Sequence, residues 1–129
     1  MKVTVEERHI NLGMDLSTAH PFALAIKDEL DKRPVPAGYL RVERVVSVSS
    51  SVIVTEHRIV KRKGREETDL AWEKYWFGEP IKTTVKTSKG DQIHETYDLN
   101  HPAFTWMVAY GMGQRVEPTV IDLVAAAEA

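Results

Sequence analysis

Cysteine is absent from the sequence of 129 residues. Disulfide bonds, thiolate metal sites and thiol catalysis are therefore excluded, and a reducing, cytoplasmic environment is expected. The chain also lacks any apolar run near the roughly 18 residues of a membrane span, and its opening stretch MKVTVEERHI has no apolar region typical of a signal peptide. These absences predict a cytoplasmic protein with no membrane partner, a profile that suits a bacterial or phage accessory protein.

An excess of charge of one sign is missing too, because 17 Lys and Arg residues nearly balance 19 Asp and Glu residues. The net charge of −2 provides no overall attraction toward nucleic acid. The hydrophobic fraction of 43% and the charged fraction of 28% are ordinary for a globular domain and argue against disorder. The length favours one domain.

Motifs for catalysis and cofactor binding are not found either. No glycine-rich loop matches the phosphate or dinucleotide fingerprints, and the serine-rich stretch 47–51 lacks the glycines that flank a catalytic serine. None of the five histidines stands at the HxH or HxxxH spacing of a local metal-binding pair: His9, His20, His57, His94 and His101. We therefore expect no catalytic residue, cofactor or metal, and we favour a non-enzymatic function.

Hydrophobic periodicity divides the chain into strands and helices. Strands are predicted over 2–8, 39–47 and 52–63, a hairpin over 81–99, and helices over 19–33, 69–77, 101–112 and from Pro118. This order predicts a single α+β domain over 1–129, with a mostly antiparallel sheet and helices packed on one face. The first six elements match the βαββαβ, or ferredoxin-like, arrangement, which leaves an extra hairpin strand and two C-terminal helices outside that core.

Two helices have clear hydrophobic stripes. In the helix predicted over 19–33, apolar side chains recur at a spacing of four residues, at Phe22, Ile26 and Leu30, and two prolines follow. In 69–77, a helix would place four residues on one face: Ala71, Trp72, Tyr75 and Trp76. The glycine after that stretch is typical of a helix C-terminus.

The register of the hairpin follows from its apolar residues, which all stand at odd positions: Ile81, Val85, Ile93, Tyr97 and Leu99. Odd positions face one another only across a loop of odd length. The three residues 88–90 are such a loop, with a glycine as its last residue. We therefore expect Val85 opposite Ile93, Ile81 opposite Tyr97, and one polar face exposed to water.

Two segments resemble each other: DLSTAHPF at Asp15–Phe22 and DLNHPAF at Asp98–Phe104. If the two segments lie side by side, four side chains form a composite histidine site: Asp15, His20, Asp98 and His101. The favoured interpretation is two helix starts. Thr18 and Asn100 are then the N-cap residues, and a proline follows in each first turn, where its missing N–H has no helical partner.

Aromatic side chains concentrate in WEKYWF (72–77) and in 104–112. Aromatic residues are enriched at the energetic centres of interfaces, whereas the alternative is that the short segment closes one end of the core. A surplus of aromatic residues without site chemistry favours a protein-interaction module that binds a partner or itself, as a homodimer or a ring. The predicted contacts are Trp72, Tyr75, Trp76, Phe77, Trp106 and Tyr110.

Five cations stand within eight residues: Arg58, Lys61, Arg62, Lys63 and Arg65. On a strand end and its loop, the segment 58–65 could follow a phosphate backbone, which makes nucleic-acid binding an alternative function. Three acidic residues follow at once, and they weaken the local field. The other interpretation is a solvated basic edge that opposes aggregation between sheets.

A second alternative is a small-ligand or catalytic pocket near Arg44, Glu56 and His57. This alternative depends on the strand 52–63, where the apolar residues change from even to odd positions between Val54 and Ile59. A bulge near Glu56 explains the switch, as does a strand that passes from one sheet face to another, and bulges often lie beside active sites. Glu56 and His57 point to opposite faces of a strand and cannot act as a direct pair.

Overall fold

The computed structural model describes residues 1–127. Within them it contains seven strands and three helices: β1 (Lys2–Val5), α1 (Glu7–Leu12), α2 (Pro21–Leu30), β2 (Arg41–Val48), β3 (Val52–Arg62), β4 (Arg65–Phe77), β5 (Ile81–Thr87), β6 (Gly90–Thr96), α3 (Pro102–Gly111) and β7 (Thr119–Ala125). The largest sheet has five strands in the order β1-β7-β4-β3-β2, and each neighbouring pair is antiparallel. The α+β class and the mostly antiparallel sheet are therefore confirmed.

The helix predicted over 69–77 is wrong, because these residues are the second half of the long strand β4. Its register against β3 is continuous from Val52 opposite Tyr75 to Arg62 opposite Arg65. Side chains four residues apart share a face in a strand as well as in a helix, so the two tryptophans did not distinguish the two structures. The ferredoxin-like arrangement is not confirmed, since this segment was its second helix.

The helix predicted from Pro118 is also wrong. Residues 119–125 form β7, which lies between β1 and β4. Ile121 and Leu123 alternate toward the core, where Ile121 is opposite Val3 and Leu123 is opposite Phe77. The C-terminal strand therefore joins the N-terminal strand to the rest of the sheet.

The helices at 19–33 and 101–112 are confirmed as α2 and α3. The three predicted stripe residues of α2, Phe22, Ile26 and Leu30, are almost completely buried. The strand predicted over 2–8 ends at Val5, and a short helix, α1, follows it from Glu7 to Leu12. Its buried His9 accepts from the Glu6 backbone N–H through Nδ1 and hydrogen-bonds Asp28 of α2 through Nε2.

The core lies between α2 and one face of the sheet, which we call the inner face. Alternate residues of all five strands contribute to it: Val3, Val5, Val46, Val48, Val52, Val54, Tyr75, Phe77, Ile121 and Leu123. Helix α3 joins this layer through Phe104, whose ring centroid lies 5.7 Å from that of Phe77. The helices thus pack on the inner face, and the opposite, outer face carries the remaining strand residues.

The bulge expected near Glu56 is not present. The registers of β3 against β2 and against β4 continue unchanged past Glu56, which lies opposite Arg44 and Ala71. The parity of apolar residues switches because the charged pair occupies inner-face positions, whereas the buried Ile59 lies on the outer side, opposite Arg41 and Thr68.

The predicted hairpin register is wrong by one residue. Thr87 pairs with Gly90, Ile81 with Thr96 and Val85 with Gln92, so the loop has two residues. The prediction assumed a core that all apolar side chains would face, but most residues of the β5–β6 hairpin are exposed on both sides. Without such a core, the turn sets the register.

Candidate functional site

The outer face of β2, β3 and β4 carries an exposed hydrophobic patch. Three residues from different strands form one row in register, Val45, Thr55 and Trp72, and the next row contains His57 and Leu70. Trp72 is 70% exposed, Leu70 is 69% exposed and Val45 is 47% exposed. We call these five residues, together with the half-buried Ile53, the outer patch.

Charged side chains lie on two sides of the outer patch. Glu43 and Lys74 border it directly on the same face. The next row contains Arg41 beside Thr68 and the buried Ile59, with Lys61 and Glu66 one row further out. The patch itself contains no Asp, Glu, Lys or Arg. An uncharged centre with an aromatic residue and a charged rim is the composition of a protein interface.

Three of the predicted contact residues are buried within the chain. Tyr75 and Phe77 point into the core from the inner face. Trp76 lies on the outer face, but Lys74 Nζ stands 4.2 Å from its ring centroid, and its indole N–H donates to Glu95 at 3.3 Å. Trp72 is therefore the exposed aromatic residue of the segment 72–77.

The other two predicted contact residues, Trp106 and Tyr110, are half-buried in α3. Their rings stack with centroids 5.6 Å apart, and the Trp106 indole donates to the Glu117 carbonyl at 2.9 Å. The exposed apolar residues of this helix are Val108 and Met112. The contact residues predicted from the sequence include neither these two residues nor Val45 and Leu70, because the prediction gave most weight to aromatic side chains.

His20 and His101 have the same structural role. Each is the N-cap of its helix, and each Nδ1 accepts a backbone N–H, from Phe22 at 3.0 Å and from Ala103 at 3.1 Å. The interpretation as two helix starts is right, but the caps are the histidines and not Thr18 or Asn100. Burial lowers the pKa of His20 to about 4. No cluster of three or more metal-ligating side chains occurs within residues 1–127.

The basic cluster is partly neutralised by neighbouring carboxylates. Arg62 contacts Asp69 at 2.9 Å and Glu67 at 3.2 Å across the β3–β4 turn, and these contacts raise its pKa. Arg58 is 3.5 Å from the buried Glu56. These pairings reduce the field available to a phosphate backbone.

A cavity of about 420 Å³ lies beside Arg44 at the end of α2. The buried Arg44 contacts Asp31 at 3.3 Å and Glu56 at 3.4 Å. His57 points to the outer face, as its register opposite Glu43 and Leu70 requires. The structure therefore brings together two members of the predicted pocket, Arg44 and Glu56, and separates the third.

Comparisons with protein-family models, curated proteins and solved structures found no match. No helix in the described part of the chain is long and apolar enough to cross a membrane.

Proposed function

We propose that this chain is a non-enzymatic, cytoplasmic protein-interaction module that associates with copies of itself through the outer patch. The observation that supports the proposal is Trp72, which is 70% exposed in an uncharged region on the face opposite the helices, beside Thr55 and Leu70. Burial of one aromatic side chain removes roughly 150–250 Å² from water, and residues of this kind dominate the energetics of interfaces.

Replacement of Trp72 tests the proposal. We expect Trp72→Ser to shift the molar mass toward that of the monomer, measured by light scattering over a range of concentrations, while the wild-type chain is an oligomer. Leu12→Ser is the matched control, because Leu12 is 74% exposed and lies in α1, away from the outer patch. A wild-type chain that is monomeric at every concentration would refute the proposal, as would an unchanged mass in Trp72→Ser.

The two alternatives have less support. Nucleic-acid binding through 58–65 would have to compete with the carboxylates that contact Arg58 and Arg62. A ligand in the cavity beside Arg44 would meet cations that already have acidic partners, since Lys27 and Arg44 both contact Asp31.

A further inference from the structure

The β5–β6 hairpin, residues 81–96, is an arm with little support from its own chain. All of its strand residues except Val85 and Glu95 are exposed. Glu95 anchors the arm at its base, where its Oε1 accepts from the Trp76 indole at 3.3 Å and from the Ala127 backbone N–H at 2.7 Å. A two-stranded hairpin on its own is at best marginally stable in water. Within residues 1–127, the arm therefore lacks a surface that covers either of its faces.

The two faces of the arm differ in charge. One face carries Lys82, Lys86, Asp91 and Glu95, together with Thr84 and the exposed Ile93. The other, which we call the uncharged face, consists of Ile81, Thr83, Val85, Thr87, Gly90, Gln92, His94 and Thr96. Glu95 turns the charged face toward the body of the chain at the base of the arm, and on the uncharged face every residue except Val85 is exposed.

The uncharged face and the outer patch have similar residue compositions. Both are exposed sheet surfaces without Asp, Glu, Lys or Arg, and both combine β-branched residues with a single histidine. Two sheets pack face to face at about 10 Å when their facing side chains need no charged partner. A charged face would bury unpaired groups in the same position.

We infer that the uncharged face of the arm packs on the outer patch of a second copy of this chain. The inference rests on the proposed function, because it names the segment that covers the outer patch. It also accounts for two unpartnered surfaces with one contact.

The size of the arm sets the form of the assembly. Seven residues per strand and two strands give a footprint of roughly 240 Å², from about 3.4 Å per residue and 10 Å of width. Each partner in a standard interface contributes about 800 Å². One arm falls well short of that area, and in a ring each contact still contains only one arm. In a closed dimer each copy both donates an arm and accepts one, which doubles the area to roughly 480 Å² per copy, the size of a weak, transient interface.

Crosslinking between two different single-cysteine variants tests this contact. Because the native sequence has no cysteine, each introduced thiol is unique. One batch carries Val85→Cys on the uncharged face, and the other carries Thr55→Cys in the outer patch. We expect a short bismaleimide to join the two batches into a mixed dimer. Thr84→Cys, one residue away on the opposite face of the arm, is the control and should crosslink poorly with Thr55→Cys. Equal yields from the two positions would overturn the inference.

A charge placed on each face gives an independent measure. Val85→Lys should weaken self-association at least about tenfold, because it buries an unpaired ammonium group in the contact. Thr84→Lys should leave association unchanged. If Trp72→Ser yields monomers while Val85→Lys associates as tightly as Thr84→Lys, the arm is not the occupant and the proposed function stands. If the wild-type chain never associates, both fail.

Discussion

His20 shows how one side chain can serve both as a helix cap and as a core residue. Its Nδ1 accepts the Phe22 N–H, and its ring meets those of Phe22, Trp106 and Tyr110 at centroid distances between 5.0 and 5.9 Å. A protonated Nδ1 could not accept that hydrogen bond, and the helix N-terminus disfavours a cation. The neutral imidazole is therefore the form that the fold requires.

A pH dependence follows from His20. Its pKa falls from 6.5 in the unfolded chain to about 4 in the folded protein, so the unfolded chain binds the proton more readily between these values. The stabilising contribution of neutral His20 should be fully present above about pH 6.5. The free energy of unfolding should fall by roughly 3 kcal/mol as the pH approaches 4. His20→Asn keeps a cap acceptor and removes this titration. Urea unfolding at pH 7.5 and pH 5 should show a smaller pH effect in the variant, and parallel losses in both proteins would contradict the assignment.

The buried ion pair of Arg44 and Glu56 gives a second prediction about individual side chains. Glu56→Leu leaves Arg44 buried with only Asp31 as an acidic contact, and we expect a loss of about 3 kcal/mol in the free energy of unfolding. Arg44→Met should cost a similar amount. The double variant should be more stable than either single variant, because no unpaired charge remains. Chemical denaturation of the four proteins measures this, and additive losses would rule out the coupling.

These residue roles could be predicted only in part. The repeated His-Pro pattern indicated helix starts, but Thr18 and Asn100 have the stronger capping propensity and were chosen on that basis. Arg44 and Glu56 stand 12 positions apart, and only the β2–β3 register joins them. Propensity describes a residue alone, whereas both roles depend on a neighbour.

At the scale of elements, the periods of helix and strand decide how much can be predicted. Helix α2 was predicted from three apolar residues at a spacing of four, with prolines beyond its end. The same spacing failed for Trp72 and Trp76, since residues four apart share a face in β4 as well. Before β7, Pro118 is typical of a first helical residue, but Ile121 and Leu123 alternate with polar or exposed positions as in a strand.

The junction between β4 and β5 depends on Gly78. Its φ is +70°, and a Cβ atom there would lie 2.6 Å from Cδ2 of His101, the cap of α3. Gly64 in the β3–β4 turn has a similar φ of +76° but open space around it. Alanine at either site costs about 1 to 2 kcal/mol through the left-handed backbone, and at Gly78 we expect roughly 2 kcal/mol more from the clash.

The comparison of Gly78→Ala with Gly64→Ala by thermal or urea unfolding isolates the contact with His101. Adding His101→Ser to Gly78→Ala should recover part of the loss, because serine still caps the helix and leaves room for the methyl group. Equal losses at the two glycines would show that the contact does not matter.

At the scale of the whole molecule, the five-stranded sheet is covered on one face by helices and open on the other around Trp72. The outer patch joins residues from β2, β3 and β4 that are up to 27 positions apart, from Val45 to Trp72. No local pattern in the sequence predicts such a surface, because it exists only once three strands are in register. The contact residues predicted from the sequence therefore include Trp72 of this surface but none of its neighbours.

Sedimentation equilibrium of the wild-type chain and Trp72→Ser is the measurement that tests self-association most directly. We predict a wild-type mass that rises with concentration to an integral multiple of 14.6 kDa, and a variant that stays near 14.6 kDa over the same range. A wild-type chain that stays at 14.6 kDa would contradict self-association, and two identical curves above that mass would place the interface elsewhere.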